Sequence, residues 1–132
     1  METKINKFIY WTPRILSIVF ICFLTLFSLD VFSPGLTFWQ IVVGLFMHNI
    51  PVFILLAVLL ISWKYEIVGG IVFILAGILY IIRLLMVMFM NGFEWYGLFW
   101  SLQIAGPAFL IGILFIIGWI RKRHSHNDVP IQ

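Results

Sequence analysis

From Ile67 to Met90 the chain reads IVGGIVFILAGILYIIRLLMVMFM, twenty-four residues carrying one charge, Arg83. At 1.5 Å per residue a helix of this length covers about 36 Å, enough to cross a hydrocarbon core of about 30 Å with modest tilt. An apolar run of that length has to satisfy its backbone internally in lipid, so the segment reads as a membrane-spanning α-helix. Asn91 and Gly92 follow it, the pair expected where a helix closes on a left-handed residue.

Three further runs of the same kind flank it. Thr12 and Pro13 read as an N-cap with proline at the first helical position, opening a helix over about 13–32 that Ser33, Pro34 and Gly35 stop. Thr37 and Gln40 have the spacing of a capping box, and apolar sequence continues from there to Trp63, giving a helix over about 38–63. Lys64, Tyr65 and Glu66 read as the turn before the helix over about 67–90. The last span covers about 95–120, and a basic tail occupies 121–132. The first run is preceded by Lys4 and Lys7, as a secretory signal would be, but no small-residue cleavage pattern follows, so it is expected to remain as the first helix.

Composition agrees with this reading. The 132 residues suit one domain, and 64% of them are hydrophobic, with a mean hydropathy of +1.15. Soluble domains use roughly 45 to 50% apolar residues. Only 10% of the residues are charged, too few to cover a soluble surface. The net charge of +3 does not point to nucleic acid, because Arg121, Lys122 and Arg123 directly follow an apolar span, where basic residues set orientation. The single Cys22 excludes an internal disulfide.

Orientation follows from the basic residues. Lys4, Lys7 and Arg14 precede the first span, Lys64 lies in the middle turn, and Arg121 to Arg123 end the last span, while the other two turns carry none. The positive-inside rule then puts both termini on the cytoplasmic side. Trp11, Trp63 and Trp119 fall at the inner boundary and Trp39, Trp95 and Trp100 near the outer one, as aromatic belts require. The expected fold is all-α, an antiparallel four-helix bundle in the cytoplasmic membrane with the lipid bilayer as its surroundings. A repeat is suggested by Pro51, Phe53 and Trp63 against Pro107, Phe109 and Trp119, although belt placement alone explains the tryptophans.

The residues that hydrocarbon should exclude are Asp30, His48, Asn49, Arg83 and Gln103. Counted from their outer helix ends, His48, Arg83 and Gln103 lie about 12 to 16 Å deep, so three spans place polar groups at one level. A buried charge costs from about 2.5 kcal/mol to 10 or more, so Arg83 either pairs with Asp30 or snorkels to the headgroups along its stem. Pro51 and Pro107 each remove a backbone donor one turn from this layer and are expected to bend their helices, opening a small wet cavity. On the third span Gly69, Phe73, Ala76, Tyr80, Arg83 and Val87 form one stripe expected to face inward, as do Ala105, Ala108 and Gly112 on the fourth.

Trp11-Thr12-Pro13-Arg14, Phe27-Ser28-Leu29-Asp30, His48-Asn49-Ile50-Pro51, Trp63-Lys64 and Gly69-Gly70 together resemble a family of small uncharacterised four-helix membrane proteins of bacteria and archaea. The resemblance spans nearly the whole chain, singles out Arg14, Asp30 and His48 by position, and implies no activity.

Catalysis would need a nucleophile with a base and an orienting group, and Ser62 and Ser101 show neither. His48 as a metal or haem ligand would need partners from another subunit. No catalysis, metal or cofactor is expected, and a redox or lipid-modifying membrane enzyme ranks last among the readings. His124, His126 and Asp128 could hold a divalent ion only weakly. The expectation is a transporter-like or ligand-binding bundle with its site at the polar layer, associating with itself or a partner membrane protein. The alternative is a non-catalytic assembly or accessory subunit whose polar layer locks helix register.

Overall fold

The computed structural model describes residues 2–127, with the side chains of 2–6 and 127 left aside. Everything regular among the described residues is helical. We number the elements α1 (Glu2–Leu26), a 3₁₀ turn at Phe27–Val31, α2 (Phe38–His48), α3 (Ile50–Ser62), α4 (Glu66–Asn91) and α5 (Trp95–Asn127). Segments Lys7–Val31, Glu66–Asn91 and Trp95–His126 are each long and apolar enough to cross a membrane. The pair α2 and α3 forms a fourth such span if counted together, bent by 43°.

That bend falls where Pro51 was expected to place it. The Asn49 side-chain amide donates to the carbonyl of Leu45 at 2.9 Å, beside the bond that carbonyl keeps from the Asn49 backbone N–H at 3.1 Å. Pro107 behaves differently, because α5 continues through it without interruption. The first helix also departs from expectation. It begins at Glu2, with Pro13 inside it. Thr12 caps nothing. Its hydroxyl donates instead to the carbonyl of Phe8 at 2.6 Å, and Ser17 donates to that of Pro13 at 2.6 Å. Both are bonds from a hydroxyl to the carbonyl four residues back, a pattern that lets threonine and serine sit inside a helix without exposing a polar group to lipid. The segment 121–127 is likewise helical rather than a tail, as arginine and lysine near a helix C-terminus favour. Residues 128–132, Asp128 among them, lie outside the described part.

Other boundaries follow the sequence closely. The Thr37 amide donates to Gln40 Oε1 at 2.9 Å, the return bond of a capping box. Gly92 ends α4 with φ +97°, and Gly35 turns the chain after the 3₁₀ segment with φ +94°.

Packing centres on α4 and α5. α5 also lies against α1, and α3 lies against both α4 and α1, so these four enclose a common core. Phe73 is fully buried there, stacked on Phe115 with ring centroids 6.1 Å apart and tilted against Phe20 at 6.5 Å. In lipid, helices associate through close contact rather than through release of water, and small residues allow it. Gly70 and Gly112 do this for α4 and α5: a Cβ on Gly112 would stand 3.0 Å from the Gly70 carbonyl oxygen, and one on Gly70 3.2 Å from that of Gly112. The inward stripe of α4 holds for Gly69 and Phe73, weakens at Ala76 and Tyr80, and opens at Arg83 and Val87. Ala105, Ala108 and Gly112 are buried as expected. α2 buries none of its residues and, among the described residues, touches only the 3₁₀ turn and α3.

Candidate functional site

The most enclosed charged group among the described residues is one that the polar layer did not include. On α1, Pro13, Arg14, Ser17, Phe20 and Ile21 recur at helical spacing and are all buried. Arg14 is 1% exposed, and its Nη2 lies 3.0 Å from Oε1 of Glu66, itself 6% exposed, at the first turn of α4. The same nitrogen reaches the carbonyl of Trp63 at 3.5 Å, and Nη1 donates to the carbonyl of Tyr10. The guanidinium lies over the Tyr10 ring, 3.5 Å from its centroid, with the rings of Trp63 and Phe115 each 5.9 Å away. Trp11 meets Trp63 edge to face, with centroids 6.4 Å apart.

This centre ties α1, the end of α3, the start of α4 and α5 together at one end of the molecule. Desolvating two ions is costly, and their attraction repays it only when further hydrogen bonds complete the geometry. Here two carbonyls and three aromatic faces do so. Nε of Arg14 is buried without a partner among the described residues. Planar stacking on aromatic rings and a fork of donors are properties of arginine that lysine lacks. The sequence carried a signal for this pair. Glu66 precedes Gly69 and Phe73 by three and seven residues, on the stripe already assigned to the interior, but its place beside Lys64 and Tyr65 made it read as part of a solvated turn.

The five residues of the expected polar layer separate. His48 and Arg83 line one cavity of about 370 Å³, walled by Phe20, Phe27, Val52 and Tyr80 among others, with Pro51 at the bend. Neither makes a side-chain hydrogen bond or ion pair among the described residues. Gln103 lies apart, in an apolar groove between α1 and α5 beside Pro107 and Phe23. Asn49 is occupied with the Leu45 carbonyl at the helix break. Asp30 is exposed in the 3₁₀ turn and makes no ion pair with Arg83; the one ion pair among the described residues is Arg14 with Glu66. Two of the five thus share a site. Counting depth from helix ends gives the level of a residue but not its direction around the axis, and direction is what divides Gln103 from Arg83.

His48 and Arg83 can offer an imidazole and a guanidinium to a ligand whose remaining surface is apolar. Among the described residues no group of three His, Cys, Asp or Glu side chains gathers as metal ligands would.

Compared with known proteins, residues 1–127 match a family described as a domain of unknown function, DUF7670. No curated protein matches, and no solved structure does.

Proposed function

The chain belongs to this family of unknown function, and from that premise we propose that it is a non-enzymatic, transporter-like membrane bundle that binds a small amphiphile at the cavity of His48 and Arg83. The observation that carries this reading is the pairing of an unengaged arginine with an unengaged histidine in one cavity whose other walls are apolar. An arginine inside the hydrocarbon level needs a counter-charge or acceptor. With no protein acceptor at hand among the described residues, an anionic or hydrogen-bond-accepting head on the ligand meets the need, and Phe20, Phe27 and Val52 receive its apolar part.

The topology belongs to the same proposal. The four spans form an antiparallel bundle in the cytoplasmic membrane with both termini inside. Its support is that Trp11, Trp63 and Trp119 gather at the Arg14 end with Lys64, Arg121, Lys122 and Arg123, whereas Gly35 and Gly92 turn the chain where it holds no lysine or arginine.

Native mass spectrometry of the detergent-extracted protein tests the site. We expect a retained small molecule that disappears from Arg83→Ala and His48→Ala while both variants unfold within about 0.5 kcal/mol of the wild type, as exposed positions do. Loss of the folded protein in those variants, with nothing retained by the wild type, would sink this reading.

A second reading rests on α2, whose apolar faces meet none of the other described residues beyond the 3₁₀ turn and α3. Such a surface suits contact with another copy or a partner membrane protein, and the chain would then be an assembly or accessory subunit. The same mass spectra report oligomeric state.

A further inference from the structure

Two clefts flank Glu66 at the Arg14 end, of about 390 and 400 Å³. Their basic lining residues are Lys64, Arg121, Lys122 and Arg123, with Lys122 and His126 lining both, and among the described residues their one acid is Glu66. Because Arg14 neutralises Glu66 from the buried side, the described lining of the clefts is strongly positive. The cations are not on a loose tail. α5 stays helical through Asn127, and Gly118, Arg121, Lys122 and Ser125 fall on one of its faces and line the same cleft. Arg123 is held over the Trp119 ring, 5.3 Å from its centroid.

Glu66 contributes a second feature. Its Oε1 takes the Arg14 bond, while Oε2 makes no hydrogen bond among the described residues and lies toward Gly118, where a Cβ would approach it to 3.3 Å. The absence of a side chain at Gly118 leaves that oxygen open to the cleft. Phosphate-binding cations beside a carboxylate oxygen free to accept make a pattern that a bare anion does not use in full. A phosphodiester with a hydroxyl on its head does.

We infer that this end of the bundle docks the headgroup of an anionic phospholipid such as phosphatidylglycerol, with Arg121 and Lys122 on the phosphate and Glu66 Oε2 accepting from a headgroup hydroxyl. The site is separate from the His48 and Arg83 cavity and stands whether or not that cavity binds a ligand. Basic pockets at the ends of membrane helices, at headgroup level, are where such lipids are recognised.

The test is lipid retention by the full chain in neutral detergent, read by native mass spectrometry with phosphatidylglycerol, phosphatidylcholine, phosphatidylmethanol or glycerol phosphate added. Both cations are exposed, so Arg121→Gln and Lys122→Gln leave the fold intact. Retention of phosphatidylglycerol should fall about fivefold for each charge removed. Phosphatidylcholine should be retained far less by the wild type, and phosphatidylmethanol, equal in charge but without the hydroxyl, several-fold less than phosphatidylglycerol. Equal retention by wild type and double variant would overturn the site and leave these cations a role in orientation only. Equal retention of phosphatidylmethanol would overturn the part given to Glu66. Glycerol phosphate binding as well as the lipid, with the same dependence on Arg121 and Lys122, would overturn the lipid as its source.

Discussion

At the scale of single residues, Arg14 and Glu66 are the most consequential side chains in the chain. Removing one partner leaves the other charged and buried, so Arg14→Ala and Glu66→Ala should each destabilise by about 3 to 5 kcal/mol. Replacing both with apolar groups of similar size, as in Arg14→Met with Glu66→Leu, should restore most of that loss. Thermal unfolding in detergent of the two single variants and the double one checks this, and a double variant as unstable as the sum of the singles would refute it. The half of the pair that could be read from sequence was Arg14, through its place in the Trp-Thr-Pro-Arg string. Its partner was hidden because a carboxylate at a helix start is ordinarily solvated and favoured by the helix dipole, so nothing local marks it as buried. Arg83 shows the converse. It stands out as an intramembrane charge, yet the structure leaves it exposed beside His48 and gives it no ion pair among the described residues.

At the scale of elements, glycines divide into those that permit contact and those that do not. Gly112→Ala would drive a methyl group to 3.0 Å from the Gly70 carbonyl oxygen and 2.6 Å from Ile74 Cγ1, so α4 and α5 must separate. We expect a loss of about 1 to 3 kcal/mol. Gly97→Ala, in the first turn of α5, meets only Leu84 Cδ1 at an ordinary 3.6 Å and should be neutral or stabilise by about 0.5 kcal/mol. Chemical unfolding of the two variants side by side distinguishes a packing role from a general dislike of glycine in helices. Element positions were largely legible, because lengths of apolar sequence, Pro51 and the Asn91–Gly92 pair are strong local signals. The start of α1 was not. Thr12 with Pro13 has the chemistry of a cap, yet in the folded helix the Thr12 hydroxyl bonds back to the Phe8 carbonyl and the proline lies inside α1. Nor was the end of α5, where Arg121 to Arg123 read as solvated sequence and instead extend the helix.

At the scale of the whole molecule, the core tightens toward the Arg14 end and loosens toward the other. Arg14, Ser17, Ser62 and Phe115 are almost wholly buried, whereas Phe89 is 95% and Tyr96 81% exposed. The proposed sidedness is checked by cysteine labelling in a Cys22→Ser background. Single cysteines at Ser33 and Asn91 should react with an impermeant reagent added outside intact cells, and those at Lys64 and Arg123 only after the membrane is opened; the reverse pattern would invert the topology. The ion pair at the tight end also has a consequence for synthesis. Fifty-two residues separate its members in the chain. At about 5 to 20 residues per second the ribosome delivers the carboxylate several seconds after the guanidinium. The first span therefore reaches the membrane carrying a charge whose partner has yet to be made, and nascent chains cut short before Glu66 should be held at the insertion machinery or degraded, while those extended through α4 escape it.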